Sequence, residues 1–386
     1  MEYRMFDVVL KRPNTYKWDN LKYNDMLSLD IGDMDFRLSD ELLAQIHKRV
    51  EHGIFGYEFE NESYYNAFIH WMERKHNINV EQRDIVCVPG VIYGIKTAIA
   101  AFSGSGSKVM VQTPVYNSYF KAIESNGRKI VQNKLLINNG KYTIDFDDFE
   151  KKIKTDNVRM FILCNPHNPV GRVWSYQEIK RMIEICKKYS VVLISDEVHQ
   201  DFVFNSGSFV SACEFKDLYD KIIIATSPCK TFNVAGIHVA NFIICNDNTR
   251  RIFDEEKRRK GYISNNALGI AMCENLYNNG DEWHEASFRY IKRNIKHVKD
   301  FFAEKYPRIK VIESEALYMM WIDFRCLNMS AEKIDRVFID EMHIMVGNGL
   351  RFGDNAEGFV RINVACPNCI IDEALNRIER VLDKYY

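Results

Sequence analysis

Short, almost uninterrupted apolar runs separated by longer amphipathic stretches constrain this chain more than any other feature. Ile85-Val86-Cys87-Val88, Val109-Met110-Val111, Met160 to Cys164, Val191 to Ile194, Ile222 to Thr226 and Ala240 to Cys245 each read as a buried strand. Helical patterns lie between them. Val91 to Phe102 is one, and Tyr176 to Tyr189 is another, opened by Ser175 and Glu178 at capping-box spacing. A strand without a polar face must be covered on both sides. The alternation therefore predicts an α/β fold, a mostly parallel sheet between layers of helices. With 386 residues, 46% of them hydrophobic, the chain can bury a large core and carry a smaller second domain.

The flanks read differently. The first thirty-odd residues are mixed and polar and predict an arm that packs on something else. Leu27 to Ile31 alternates like a short strand, and Gly32-Asp33-Met34-Asp35-Phe36 turns the chain. Ser39 is a candidate N-cap ahead of the apolar face Leu42, Leu43, Ile46 and Val50. Gly53 and Gly56 bracket an aromatic loop that ends in Tyr57, and a helix follows from Tyr64 to His76. Past Asn246 come a charged helix from Arg250 to Lys260 and a long helix from Trp283 to Tyr306. After them lie strands at Val311-Ile312, Met319 to Asp323 and Phe359 to Val364, a helix from Ser330 to Glu341, and a last helix through Ile378, Val381 and Leu382. That part reads as an α+β unit. The expected division is a large domain over 45–280 and a small domain made of 1–44, which includes the arm, and 281–386.

Net charge is -1, which gives no footprint for nucleic acid or another polyanion. No apolar run has the length of a membrane span, and Met1 to Leu10 lacks the apolar segment of a signal peptide. The 10 cysteines lie mostly inside strand-like or helical patterns, as buried free thiols of a reducing, cytoplasmic setting do. Cys366-Pro367-Asn368-Cys369 has no second pair for zinc and no thioredoxin-like context, so it reads as two incidental thiols. Gly104 to Lys108 lacks P-loop order and precedes a strand instead of following one. Asp33 and Asp35 have no histidine or further carboxylate at metal-ligand spacing. No metal is expected.

In an open parallel sheet, ligands bind beyond the carboxyl ends of the strands. Reactive-looking segments fall at four such ends. Thr113-Pro114-Val115-Tyr116 follows Val111. Asn165-Pro166-His167-Asn168 follows Cys164. Ser195-Asp196-Glu197-Val198-His199 follows Ile194. Ser227-Pro228-Cys229-Lys230 follows Thr226. A lysine just past a strand is commonly a solvated loop residue, an arginine such as Arg361 a surface group, and a histidine such as His199 a satisfied core residue. Four such segments in order favour one site. A primary amine at a strand end can condense with an aldehyde cofactor, and a nearby carboxylate can balance a cationic ring.

These residues resemble fold type I enzymes that depend on pyridoxal phosphate (PLP), the aspartate aminotransferase superfamily, over nearly the whole chain. The resemblance implies a seven-stranded sheet in the large domain and assigns roles residue by residue. Lys230 holds PLP, Asp196 pairs with its pyridine nitrogen, and Tyr116 stacks on its ring. Asn168 faces the phenolate oxygen, with His199 placed where many relatives carry a tyrosine. Backbone N–H groups around Val91 and Ile92, with the Ser227 hydroxyl, take the phosphate. Arg361 grips the substrate carboxylate, and Gly32 belongs to the substrate pocket beside Asp33.

Gly32 to Phe36, Gly53 to Tyr57, Val91-Ile92-Tyr93 and Ser227 to Asn233 are similar to the MalY/PatB group of cystathionine β-lyases, the C–S lyases. In that group Tyr57 reaches the phosphate from the neighbouring subunit, which implies a homodimer with its active site at the subunit interface. Many aminotransferases have an arginine eight residues past the lysine; here that position is His238. Cys229 departs from the small residue usual before the lysine. The implied activity is cleavage of L-cystathionine or related cysteine S-conjugates to thiol, pyruvate and ammonia. An L-amino-acid aminotransferase and a non-catalytic protein on the same fold remain the alternatives.

Overall fold

The computed structural model describes residues 5–10, 14–19, 21–205 and 207–386. The apolar runs form β1 (Ile85–Val88), β2 (Lys108–Thr113), β4 (Val158–Cys164), β5 (Val192–Asp196), β6 (Ile222–Thr226) and β7 (Ala240–Ile243), joined by β3 (Lys129–Lys134). Together they make a seven-stranded sheet in the order β1-β7-β6-β5-β4-β2-β3. β2 to β6 run parallel. β7 runs antiparallel to both β6 and β1. The link from Ser227 to Val239 holds only a one-turn helix and a 3-10 turn, so the chain re-enters the sheet at the end it left.

Side chains alternate between two buried clusters, one on each face of the sheet. Among the helices are α1 (Asp40–Glu51), α2 (Glu62–His76), α3 (Val91–Phe102) and α4 (Tyr176–Lys188). Ile95 and Ile99 of α3 pack on the face that carries Val111, Ile162 and Ile194. Ile179, Met182 and Ile183 of α4 pack on the face that carries Phe161, Leu163 and Leu193. Ser39 caps α1, and the Ser175–Glu178 capping box is closed in both directions. α2 begins ahead of Tyr64 because Asn61 accepts from the Tyr64 N–H at 2.9 Å.

Beyond β7 lie α5 (Asp247–Arg259), α6 (Ala267–Asn279) and α7 (Asp281–Lys305). A second, four-stranded antiparallel sheet then forms from β8 (Lys310–Val311), β9 (Met319–Asp323), β10 (Gly347–Asn348) and β11 (Phe359–Asn363), in the order β8-β9-β11-β10. α8 (Asn368–Leu382) closes the chain. The helix expected over 330–341 is regular only from Ala331 to Arg336 and widens into a π turn from Val337 to Glu341.

The described part of the arm packs as expected. Phe6 is fully buried, its ring 4.9 Å from Phe36 and 5.6 Å from Tyr290. Lys17 is buried against Asp35 at 2.7 Å. The strand expected over 27–31 is only Leu27–Ser28, paired with Ile344–Met345. Further on, the Asn363 amide takes the carbonyls of Ile31 (2.6 Å) and Asp33 (2.8 Å), so a side chain replaces the ladder there. Among the described residues, no helix is long and apolar enough to cross a membrane.

Candidate active site

A cavity of about 530 Å³ opens where the carboxyl ends of β4, β5 and β6 meet Gly32, Asp33 and β11. Lys230, Asp196, Asn168, His199, Tyr116, Val91, Ile92, Ser227, Gly32 and Arg361 all line it. The sequence-predicted groups therefore come together in one chain, with one exception. Tyr57 is fully exposed and lines an adjoining cavity, which shares Pro89 and His238 with the first.

Lys230 sits in the one-turn helix Pro228–Thr231, whose N-cap is Ser227. Its amine donates to Gly32 O at 3.1 Å and lies 4.0 Å from an Asp33 oxygen. Tyr318 donates to the same carbonyl at 2.8 Å. A Cβ on Gly32 would lie 3.3 Å from Lys230 Nζ, so a residue without a side chain leaves the amine its room. Burial alone would lower the Lys230 pKa, but Tyr318, Cys229, Asp33 and Tyr116 around it outweigh that and hold it above its ordinary value. The Ser227 hydroxyl donates to Val239 O at 2.6 Å and accepts from the Cys229 N–H at 3.1 Å. Its proton is thus committed inside the protein.

Asp196 is the last residue of β5, so strand termination itself points its carboxylate into the cavity. It accepts from Tyr119 Oη at 2.6 Å and the Val198 N–H at 3.2 Å. Burial pushes its pKa up to about 6, against those two bonds and the Lys230 charge. Such a carboxylate is poised to accept a cation. The next residue, Glu197, faces away. It is fully buried and held by Ser195 (2.7 Å), Ser211 (2.6 Å) and the Ala212 N–H (2.8 Å), and burial pushes it up to about 7.

Arg361 lies in the middle of β11 and is 6% exposed. Its guanidinium donates to Asn168 Oδ1 at 3.0 Å and Asp30 O at 2.6 Å, and sits 4.7 Å over the Phe352 ring. Burial lowers its pKa to about 10. His199 is also buried, and burial, then Lys230 and Arg361, keep its imidazole neutral. Arg361 Nε and His199 Nδ1 are buried without hydrogen-bond partners in the protein. Above them, α3 starts at Gly90, whose φ of 112° and missing side chain leave the first N–H groups uncapped. Unpartnered buried donors, an uncapped helix start, a strand-end amine and a raised carboxylate fit a ligand with a phosphate, an aldehyde and a basic aromatic ring.

Sequence reasoning did not find Tyr119, Tyr318 or Glu197. Tyr119 stands one helical step from Tyr116, with its ring 5.7 Å away, and that spacing was the available signal. Tyr318 precedes β9 and gives no local sign of facing Gly32. His238 has a left-handed backbone (φ 54°), and its N–H donates to Ala235 O at 3.3 Å, while its ring lines both cavities. Every cysteine is a free thiol, with Cys366 buried and Cys369 exposed. No cluster of metal ligands occurs among the described residues.

The family model for aminotransferase class I and II matches residues 24–378, and the chain belongs to that family. Cystathionine beta-lyase PatB of Bacillus subtilis (strain 168) is 32% identical over 371 residues, covering 95% of this chain and 96% of that protein. Cystalysin from Treponema denticola, solved with a pyridoxal 5'-phosphate cofactor, superposes with a TM-score of 0.95 at 33% identity, covering 99% of each chain. The PLP-bound C–S lyase from Staphylococcus hominis superposes at 0.91 with 29% identity, covering 98% of this chain and 97% of that one.

Proposed function

We propose that this protein is a PLP-dependent carbon–sulfur β-lyase acting on L-cystathionine or a related cysteine S-conjugate. One observation carries the reading: a strand-end lysine, a buried strand-end carboxylate and a buried arginine line one cavity, in a chain whose relatives include proteins named as C–S lyases. Bound PLP supplies a cationic aromatic ring that takes up the electron pair left when the substrate Cα loses its proton.

The chain's residues do the rest. The Lys230 amine holds the cofactor and then, freed, takes the Cα proton from its station beside Gly32 O. Asp196, kept in place by Tyr119, balances the ring-nitrogen charge. N–H groups around Val91 and Ile92 take the phosphate, and Ser227 shapes that corner. Tyr116 stacks on the ring, while Asn168 and His199 face its oxygen. Arg361, aimed by Asn168 and Asp30, grips the substrate carboxylate. Gly32 leaves space for the substrate. Once the Cα proton is on Lys230, the Cβ–S bond breaks, and the sulfur takes a proton from the Lys230 ammonium and departs as a thiol. Hydrolysis of the remainder gives pyruvate and ammonia.

We place the division at a large domain over 45–280 and a small one over 1–44 and 281–386; position 45 lies inside α1, and 281 opens α7. The active form we propose is a cytoplasmic homodimer, with Tyr57 of one copy at the phosphate of the other. Exposure of Ile54, Phe55, Tyr57 and Phe59 on one loop supports that pairing.

The holoenzyme given L-cystathionine without any 2-oxo acid is expected to release pyruvate and thiol stoichiometrically. An aminotransferase would need the acceptor and release neither. Lys230→Ala should lower turnover about a thousandfold or more. Lyase activity near wild type in that variant refutes the mechanism.

A further inference from the structure

The carboxylates and strong cations that line the cavity are Lys230, Asp196, Arg361 and Asp33. The proposed lyase reading employs the first three. Asp33 is left over, and a role for it rests on that reading.

Its position is built. The Asp33 carbonyl accepts from Lys17 Nζ and Asn363 Nδ2, both at 2.8 Å. On one side Gly32 O is held by Lys230 and Tyr318. On the other, the Met34 N–H donates to Asn233 Oδ1 at 2.8 Å. The backbone is thus pinned at three consecutive residues, while the carboxylate is free to face the cavity. Among the described residues its one charged partner is Lys230, at 4.0 Å, and no hydrogen bond reaches its carboxylate oxygens. When Lys230 acts as a base its amine is neutral; the other nearby ammonium, Lys17, holds the Asp33 carbonyl and is paired with Asp35, so it leaves the Asp33 carboxylate uncompensated.

Depth orders these charges. Asp196 and Arg361 are 4% and 6% exposed, at the floor. The Asp33 side chain is 30% exposed, and Tyr16, which lines the same cavity, is 85% exposed; both mark the mouth. A cysteine derivative gripped at its carboxylate by Arg361, with its Cα at Lys230, must send its sulfur substituent toward that mouth.

We propose that Asp33 selects the leaving group: the preferred substrates are cysteine S-conjugates whose sulfur substituent carries an ammonium. A substituent that carries a carboxylate without an ammonium would meet Asp33 with no compensating cation among the described cavity residues, whereas the far end of cystathionine brings its own ammonium.

The test uses the PLP-loaded enzyme and three thioethers: S-(2-aminoethyl)-L-cysteine, the neutral S-propyl-L-cysteine and the anionic S-carboxymethyl-L-cysteine. Pyruvate release gives kcat/KM for each. Wild type is expected to prefer the aminoethyl over the carboxymethyl compound by about tenfold or more, the scale of one hydrogen bond to a charged group. Asp33→Asn should collapse the aminoethyl-to-propyl ratio by about tenfold, and Asp33→Lys should turn the order toward the carboxymethyl compound. Equal losses on all three substrates in Asp33→Asn, with unchanged ratios, overturn the inference, because Asp33 would then serve Lys230. If the variants fail to fold, a wild-type enzyme that handles the carboxymethyl compound as well as the aminoethyl one overturns it. Pyruvate from none of the three, with cystathionine also inert, refutes the lyase reading instead.

Discussion

The two walls of the cavity are built by different rules. On the seven-stranded side, Asp196 and Lys230 stand at or just past strand ends, and Asn168 lies four residues beyond Cys164; each is placed by where its own strand stops. On the four-stranded side, Arg361 lies mid-strand and is aimed by partners 193 and 331 residues away in the chain. Strand ends set where the first wall's residues stand, and distant contacts then hold their side chains, whereas no strand end marks the place of the second wall's arginine. Damage should therefore remain local on the first wall and spread on the second.

Asp196→Asn tests the first wall and should have the largest effect. It keeps the shape but removes the charge under the ring, so turnover should fall about a thousandfold. The Tyr119 and Val198 contacts have amide equivalents, so thermal stability should change little; a large loss of Tm would show that the strand end is not autonomous. Arg361→Lys tests the second wall. One ammonium cannot serve Asn168 Oδ1, Asp30 O and a carboxylate in fork geometry. An increase in KM of about a hundredfold is expected, with a lowered Tm as the sign of spread. A substitution that raised KM and left Tm untouched would break the contrast.

The smallest effect concerns Glu197, which shares β5's end with Asp196 yet faces the packed interior. Its folded pKa of about 7 lies above the ordinary carboxylate value. The folded state therefore binds the proton more tightly than the unfolded chain. Its contribution to stability is full at low pH and is lost as pH rises from the unfolded value through 7. Glu197→Gln should remove about 2 kcal/mol of the stability that the cofactor-free protein loses between pH 5 and 8. Thermal melts at the two pH values read this directly; an unchanged difference would mean that the site's acidity lies elsewhere.

The same division explains what was legible in the sequence. Strand-end placement puts Lys230, Asp196, Asn168 and Tyr116 in order from the residues alone. The same placement holds for His199, while Arg361 and Gly32 came through likeness to relatives, because a mid-strand arginine carries no local mark of its target. β3 was missed since only Ile130 and Val131 of Lys129–Lys134 are apolar, too short a run to mark a strand, as a position at the sheet edge allows. α6 was missed since its buried residues include Gly269 and Asn275 beside Ile270, Cys273 and Leu276, which blurs any apolar stripe. The reversed direction of β7 is set by its short connection and not by its apolar run.

Asn233, three residues past the lysine, clasps Met34 through both its N–H and its carbonyl. Asn363, two past the arginine, clasps Ile31 and Asp33. The strip 31–34 is strung like a taut cord between the amine's helix and the guanidinium's strand. The carbonyl of Gly32, which rests against the amine, lies between those two ties, so the amine and the guanidinium take their places from one shared stretch of backbone.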